Sequence, residues 1–182
     1  RDLVRSRGLG DVYKRQHDML VEAAKLVLPK YPDWQWDLYG TGDTLDEIRK
    51  KIEEYGLEKQ LILKGNVKDV YQVYGDYAFL VLPSYREGLP LVLLEAKALG
   101  LPMISFDITT GPREIINEGE DGYLIPPYHI EEMAAKIETL IIDEKQRILF
   151  SKNTEKGIEK FCKRRIYSEW EELIETLCGG EE

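Results

Sequence analysis

The 182-residue chain lacks the features that identify several large classes of protein. No apolar run reaches the roughly 20 residues that a membrane-spanning helix needs, because Glu95 and Lys97 interrupt the longest candidate. Only two cysteines are present, Cys162 and Cys178, and neither has the CxxC or Cys/His spacing of a zinc site. We therefore expect a cytoplasmic protein with reduced thiols and without a disulfide framework.

An excess of positive charge is also missing. The chain has 25 Lys and Arg against 34 Asp and Glu, which gives a net charge of -9. A nucleic-acid groove needs clustered Lys and Arg to neutralise phosphates, so we expect no nucleic-acid partner. The length and the hydrophobic content of 43% suit one globular domain with a sizeable core.

The first sixteen residues, Arg1 to Gln16, differ in charge from the rest of the chain. Five basic and two acidic side chains give them +3, so the remainder carries -12. The segment has neither helical nor strand periodicity, and "SRGLGDVYKRQ" resembles the conceptual translation of a sequencing adapter. We expect residues 1–16 to be a non-native segment in a chain that lacks its true N-terminal part; the alternative is a native basic arm.

From His17 onwards, segments with strand patterns alternate with segments of helical periodicity. The predicted strands are "WQWDLYG", "LILKG", "YAFLVLPS", "PMISFD" and "GYLIPP". The predicted helices are "HDMLVEAAKLV", "TGDTLDEIRKKIEEYG", "KDVYQVYG", "PLVLLEAKALG", "PREIINEG" and "IEEMAAKIETLI". This alternation predicts an α/β fold with a Rossmann-like, doubly wound parallel sheet, in which the wholly apolar strand Ala78 to Leu82 is central.

The pattern is helical after Asp143. We expect the domain to cover residues 17–160, and a C-terminal helix with an acidic tail to cover residues 161–182. Five apolar side chains form one stripe in this last segment, at Ile166, Trp170, Leu173, Ile174 and Leu177. That stripe is enough to dock a terminal helix.

Glu95 lies in the predicted helix Pro90 to Gly100, which is apolar nearly all round and should be buried. An ionised carboxylate there costs several kcal/mol unless it is paired. The two hydroxyls of a ribose would supply two donors at matching spacing, and a salt bridge would serve equally well. Lys97 is only two residues away and lies on another face, so the sequence leaves both possibilities open.

Glu87 lies in a loop that follows a buried strand, where open α/β sheets bind their ligands. The loop leads into a helix N-terminus, whose free backbone amides and dipole attract a phosphate or another anion. The amides available at this point are those of Gly88, Leu89, Leu91, Val92 and Leu93, because Pro90 has none. A tight strand-to-helix turn would explain the glycine and the proline but neither glutamate.

Glu87 and Glu95, with seven residues between them, match the E-x7-E signature in "PSYREGLPLVLLEA". This motif resembles that of retaining nucleotide-sugar glycosyltransferases of family 4, which have the GT-B fold. "YGTGDTLDEIRKKIEEYGLEKQLILKGNV", "FDITTGPREIINEGEDGYLIPP" and "HIEEMAAKI" are similar in order and spacing to the C-terminal, donor-binding domain of that family. The resemblance covers His17 to about Ile142 and is greatest to the branch that makes bacterial exopolysaccharides, the amylovoran type among them.

The resemblance implies a role for each glutamate. Glu95 would bind the ribose hydroxyls of the donor nucleotide, with UDP the expected carrier. Glu87 would face hydroxyls of the donor hexose and the positive charge that develops at its anomeric carbon. Two further groups would complete the site: the backbone amides of Gly88, Leu89, Leu91 and Val92 on the sugar and diphosphate, and the loop Gly65, Asn66 and Val67 at the base.

The resemblance also implies chemistry without a metal cofactor. Cleavage of the sugar–phosphate bond places negative charge on the departing diphosphate, which preorganised amides and cations stabilise. Metal-dependent transferases of the other common fold use an Asp-x-Asp pair for this purpose, and this chain contains no Asp-x-Asp.

The chain departs from the family at its N-terminal end. The family binds the diphosphate with an Arg and a Lys just before the helix that begins here at "HDMLVEAAKLV", where this chain has "VYKRQ". Lys14 and Arg15 would then be accidental. The acceptor domain of the fold is also absent, so we expect the chain alone to be inactive. That domain commonly contacts lipid-linked acceptors, which leaves open peripheral binding at the inner face of the membrane.

Two other functions remain open at the level of sequence. A nucleotide-sugar epimerase shares the GT-B architecture but would need acid/base residues facing the sugar, and the chain shows no suitable histidine. A non-catalytic nucleotide-binding module would tolerate the loss of Glu87. Of the other polar residues, we expect surface or helix-end roles for His17 and His129, and a helix-capping role for Glu114.

Overall fold

The computed structural model describes residues 4–5, 10–69 and 71–178. The strands in these ranges are β1 (Val4–Arg5), β2 (Trp36–Tyr39), β3 (Leu61–Gly65), β4 (Leu80–Leu82), β5 (Met103–Phe106) and β6 (Gly122–Ile125). The helices are α1 (Gly10–Val27), α2 (Leu45–Glu54), α3 (Tyr71–Tyr74), α4 (Leu91–Ala98), α5 (Pro112–Ile115), α6 (Ile130–Ile142), α7 (Glu144–Asn153) and α8 (Lys163–Cys178). Each strand predicted after His17 is present.

All strand pairs in the described residues are parallel. β1, β2 and β3 form one three-stranded sheet, and β4, β5 and β6 form another. β1 also contacts β4, which places the two sheets side by side in the order β3-β2-β1-β4-β5-β6. This is the doubly wound order in which ligands bind at the carboxyl ends of the strands.

Helices cover both faces of the sheet because successive side chains of a strand point to opposite faces. Val81, Ile104 and Phe106 lie in one buried cluster together with side chains of α1 and α6, which we call the α1-side cluster. Leu80, Leu82 and Met103 lie in a second buried cluster with side chains of α3, α4 and α5, the α4-side cluster. The predicted fold class is confirmed.

The first helix extends beyond the predicted pattern. α1 begins at Gly10, so residues 10–16 of the segment assigned to an adapter have helical backbone, and β1 also lies in that segment. Residues 1–3 and 6–9 lie outside the described residues. The boundaries proposed at residues 16 and 160 fall inside α1 and inside the 3-10 turn Ile158–Phe161, and they stay predictions.

The C-terminal helix does not dock as expected. Every residue of α8 is exposed, with Trp170 59% and Leu177 73% accessible to solvent. The docking prediction is therefore wrong within the described residues, because an amphipathic pattern identifies an apolar face without specifying what covers it. Over the same ranges, neither α8 nor any other helix has the length and apolar character that crossing a bilayer requires.

Candidate functional site

The loops that follow β2 and β3 lie together at the carboxyl edge of the sheet. The Gly40 amide donates to the Gly65 carbonyl oxygen at 2.8 Å. The Asn66 side-chain amide donates to the Thr41 hydroxyl at 3.0 Å. Gly65 has a φ of +67°, which turns the chain out of β3. The three predicted base-pocket residues therefore form one loop, whose third member, Val67, packs against the α4-side cluster.

The Glu87 loop, which follows β4, is held by the loop that follows β5. The Thr110 hydroxyl donates to the Glu87 carbonyl oxygen at 2.7 Å. Gly111 lies so close to this loop that a Cβ on it would be 2.4 Å from the Gly88 carbonyl oxygen and 2.5 Å from Pro90 Cδ. The position of the predicted site loop thus depends on a glycine 24 residues away along the chain.

These contacts predict opposite results at the two glycines. Gly111→Ala should destabilise the chain by about 2–4 kcal/mol, because Gly111 has a φ of +91° and its Cβ would collide with backbone. Gly88→Ala should change stability by less than about 0.5 kcal/mol, because its Cβ would meet nothing within 4 Å. Thermal unfolding of both variants tests this, and equal losses would contradict the proposed loop geometry.

Four backbone amides lie at the start of α4 and in the loop before it. Pro90 is the N-cap residue, with extended backbone at φ -73° and ψ 98°, so α4 begins one residue later than predicted. Within the described part of the chain, the amides of Gly88, Leu89, Leu91 and Val92 donate no hydrogen bond. Gly88, Leu89 and Leu91 are exposed residues, and amides at a helix start that have no internal acceptor can bind an anion.

Glu87 is half-buried in its loop. Burial raises the pKa of its carboxyl above the ordinary value, and a hydrogen bond from the buried Ser84 hydroxyl opposes part of that rise. A carboxylate in this setting gains from a nearby positive charge or from hydroxyl donors. Its environment therefore suits the role predicted for Glu87 opposite a sugar that becomes positively charged.

The raised pKa predicts how stability depends on pH. Between the unfolded glutamate pKa of about 4.3 and the higher folded value, the folded chain binds more protons, so the free energy of unfolding falls as pH rises. Glutamine has no ionisation cost. Glu87→Gln should therefore raise Tm more at pH 7 than at pH 4, as measured by calorimetry at both values. A larger gain at pH 4 would contradict the raised pKa.

Glu95 is less buried than predicted. It is partly exposed, and the Tyr74 hydroxyl donates to its Oε2 at 3.1 Å. The predicted apolar burial of the whole helix is wrong, since Leu91 is 65% and Leu99 44% accessible. The fully buried charge of α4 is instead Lys97.

Lys97 forms an ion pair with Asp121, and both side chains are completely buried. The Asn117 backbone amide and side-chain amide also donate to Asp121, each at 2.9 Å. The buried ion pair connects α4 to the turn before β6. Of the two charged residues of α4, Lys97 is buried in this contact and Glu95 is partly exposed. Lys97 therefore has a structural role, whereas Glu95 is accessible to solvent.

Glu114 and His129 have the roles predicted for them, and Arg113 has an acidic partner at the surface. Glu114 Oε1 accepts from the Gly111 amide at 3.3 Å, which confirms its capping role. Arg113 pairs with Asp107 at the surface through two hydrogen bonds of 2.7 and 2.5 Å. His129 precedes α6 and lies 3.5 Å from Glu132, which confirms a helix-end role. The side chain of His17 lies outside the described residues.

Sequence reasoning missed four residues that support the site: Ser84, Thr110, Gly111 and Tyr74. Gly111 had a detectable signal, because a glycine directly before the helix-starting Pro112 indicates an unusual backbone. The contact between Tyr74 and Glu95 spans 21 residues and has no signal in one sequence.

A crevice lies at the opposite edge of the sheet, near the amino ends of β2 and β4. This crevice is lined by Leu28, Trp34, Gln35, Trp36, Phe79, Ile137 and Ile141. Its lining is mostly apolar and includes no ionisable side chain, so it offers little for a charged ligand. Over the described residues, no group of three or more His, Cys, Asp or Glu side chains is arranged to hold a metal ion.

A family model described as glycosyl transferases group 1 matches residues 11–157 of the chain. The match includes the β2, β3, β4 and β5 loops that carry the predicted site residues. The match begins inside residues 1–16, the segment that resembles an adapter translation, and it ends before α8.

Three relatives illustrate the similarity. An exopolysaccharide phosphotransferase of Streptomyces coelicolor is 35% identical over 164 residues, which are 90% of this chain and 17% of that protein. A poly(ribitol-phosphate) alpha-N-acetylglucosaminyltransferase of Staphylococcus aureus is 34% identical, over 87% of this chain and 32% of that protein. An amylovoran biosynthesis glycosyltransferase of Erwinia amylovora is 31% identical, over 90% and 50%. The chain therefore spans half or less of these relatives.

Two solved structures share the fold. A mutant of S. aureus TarM in complex with Fondaparinux, alpha-GlcNAc-glycerol and UDP has a TM-score of 0.87 and 32% identity, over 94% of this chain and 35% of that one. The C-terminal domain of a group 1 glycosyl transferase, LpcC of Francisella tularensis, has a TM-score of 0.72 and 32% identity, over 84% and 81%.

Proposed function

Because the chain belongs to the glycosyl transferases group 1 family, we propose that it binds the nucleotide-sugar donor of a retaining hexosyltransferase of family 4, with UDP as the carrier. UDP is supported by its presence in the similar TarM complex. An exopolysaccharide product is supported by the relative that acts in amylovoran biosynthesis.

The observation that carries this proposal is the position of Glu95. Glu95 is a partly exposed residue, and its carboxylate accepts a hydrogen bond from Tyr74. Tyr74 and Val67, which belongs to the predicted base loop, pack in the same α4-side cluster. A carboxylate accepts two hydrogen bonds at the spacing of adjacent ribose hydroxyls. The proposed base loop and the residue that holds the proposed ribose acceptor therefore pack in the same cluster.

The sugar and the diphosphate would lie at the N-terminus of α4, next to the loop that carries Glu87. The amides of Gly88, Leu89, Leu91 and Val92 would hold the diphosphate and stabilise the charge that it gains as the sugar leaves. Glu87 would accept hydrogen bonds from the donor hexose and stabilise positive charge at the anomeric carbon. These donors supply charge stabilisation without a metal cofactor, as the absence of Asp-x-Asp also suggests.

The acceptor would bind to a domain outside this chain. The chain spans 17% to 50% of the relatives named above, which supports a longer protein that carries a site for a glycan or lipid-linked acceptor. Contact with the inner membrane face would come through that domain. We expect no sugar transfer by the 182-residue chain alone, and detectable turnover by it would contradict this proposal.

Calorimetric titration of the chain with UDP, GDP and ADP tests the donor. We expect binding of UDP with at least tenfold weaker binding of the other two. Binding of UDP that is lost on Gly88→Ala would place the diphosphate at the loop, because this variant should keep its stability. No binding of any nucleotide at millimolar concentration would overturn the proposed function.

A further inference from the structure

The geometry points to Tyr74 as a positioning residue for the donor: its hydroxyl holds the Glu95 carboxylate in the orientation that receives the ribose. This inference rests on the proposed function and adds a residue outside the E-x7-E motif. Tyr74 would not touch the nucleotide itself; it would act through Glu95.

Tyr74 is a rigid support. It is the last residue of α3, and only 3% of it is accessible to solvent. Its ring packs in the α4-side cluster with Leu80, Leu93 and Met103, which belong to β4, α4 and β5. Burial in a cluster to which three other elements contribute restricts the motion of the ring that carries the hydroxyl.

The direction of the hydrogen bond follows from the chemistry of the two groups. An ionised carboxylate only accepts hydrogen bonds, whereas a phenol carries one proton that it can donate. The Tyr74 hydroxyl therefore donates to Glu95 Oε2 at 3.1 Å. Fixing one oxygen of a planar carboxylate also restricts the plane in which the other oxygen lies.

A hydrogen bond that fixes Glu95 before the ligand arrives strengthens binding, because less conformational entropy is then lost when the ligand binds. A glutamate side chain has three rotatable bonds, and each contact that fixes the partly exposed Glu95 reduces the rotamer freedom that ligand binding would otherwise remove. If Tyr74 fixes Glu95 beforehand, the ribose meets a carboxylate that is already oriented. The Tyr74 hydroxyl then contributes only to ligands that have ribose hydroxyls.

The test compares UDP with 2′,3′-dideoxy-UDP, which lacks both ribose hydroxyls, by NMR titration of the chain. We expect Tyr74→Phe to raise the Kd for UDP about 5-fold to 10-fold and to change the Kd for the dideoxy analogue less than twofold. A purely structural role for Tyr74 would weaken both ligands to the same extent. Equal weakening, or an unchanged Kd for UDP, would overturn the inference.

A matched control and a second variant separate the possible failures. Tyr55→Phe removes a hydrogen bond of the same chemistry, from Tyr55 to Glu22 at 2.5 Å between α1 and the end of α2, and should leave both Kd values unchanged. In a Glu95→Ala background, Tyr74→Phe should have less than a twofold further effect; a full 5-fold effect there overturns the inference. If the unaltered chain fails to bind UDP, the proposed function falls, and the inference falls with it.

Discussion

Glu95→Ala is expected to weaken binding of UDP to the chain by about 100-fold. In the proposed role of Glu95, the variant would remove two hydrogen bonds from ribose hydroxyls to a charged acceptor, each worth roughly 1.5–3 kcal/mol, and a loss of about 3 kcal/mol corresponds to this factor. The side chain is partly exposed, so we expect the variant to fold, although the buried Tyr74 hydroxyl loses an acceptor. Calorimetric titration measures the Kd, and thermal unfolding verifies that the variant is folded.

The control for this prediction is Glu53→Ala. Glu53 is an exposed residue of α2, so the variant makes the same chemical and charge change away from the proposed site. It should bind UDP within twofold of the unaltered chain. An equal loss in both variants would show that net charge, rather than a ribose contact, determines the affinity.

Lys97→Ala is expected to destabilise the chain by about 3–5 kcal/mol. The ammonium of Lys97 and the carboxylate of Asp121 are both inaccessible to solvent, so the variant leaves a buried carboxylate without its cation. Asn117 still donates two hydrogen bonds to Asp121, but these do not neutralise its charge. Denaturant unfolding at pH 7 measures the change.

Three further variants test the cause of this loss. Lys50→Ala removes an exposed lysine of α2 and should change stability by less than about 0.5 kcal/mol. Lys97→Met combined with Asp121→Asn removes both charges and should be more stable than Lys97→Met alone. If the double variant were the less stable of the two, a buried uncompensated charge would not be the reason for the loss.

The fold could be predicted from the sequence because its signals are local. Strands and helices alternate with clear turn residues between them, and each strand predicted after His17 is present. The apolar run Ala78 to Leu82 contains β4, which pairs with β5 and contacts β1 as a central strand should. The exposure of α8 could not be predicted, because an amphipathic pattern shows that a helix has an apolar face but not what that face packs against.

The sequence predicted the residues of the E-x7-E motif but not the residues that hold them in place. The position of Glu87 and of the α4 amides follows from one strand, one loop and one helix start that are contiguous in sequence. The roles of Glu95 and Lys97 were open, since their partners Tyr74 and Asp121 are 21 and 24 residues away. The close approach of Gly111 to Gly88 likewise depends on tertiary structure.

Amide chemical shifts in NMR map UDP on the chain and test the proposed donor site directly. We predict that UDP most strongly shifts the amides of the loop Gly65 to Val67 and those of Gly88, Leu89, Leu91 and Val92. Amides at the opposite edge, beside Leu28 and Phe79, should stay unchanged. Largest shifts at that opposite crevice, or no shift at millimolar UDP, would contradict a donor site at the start of α4.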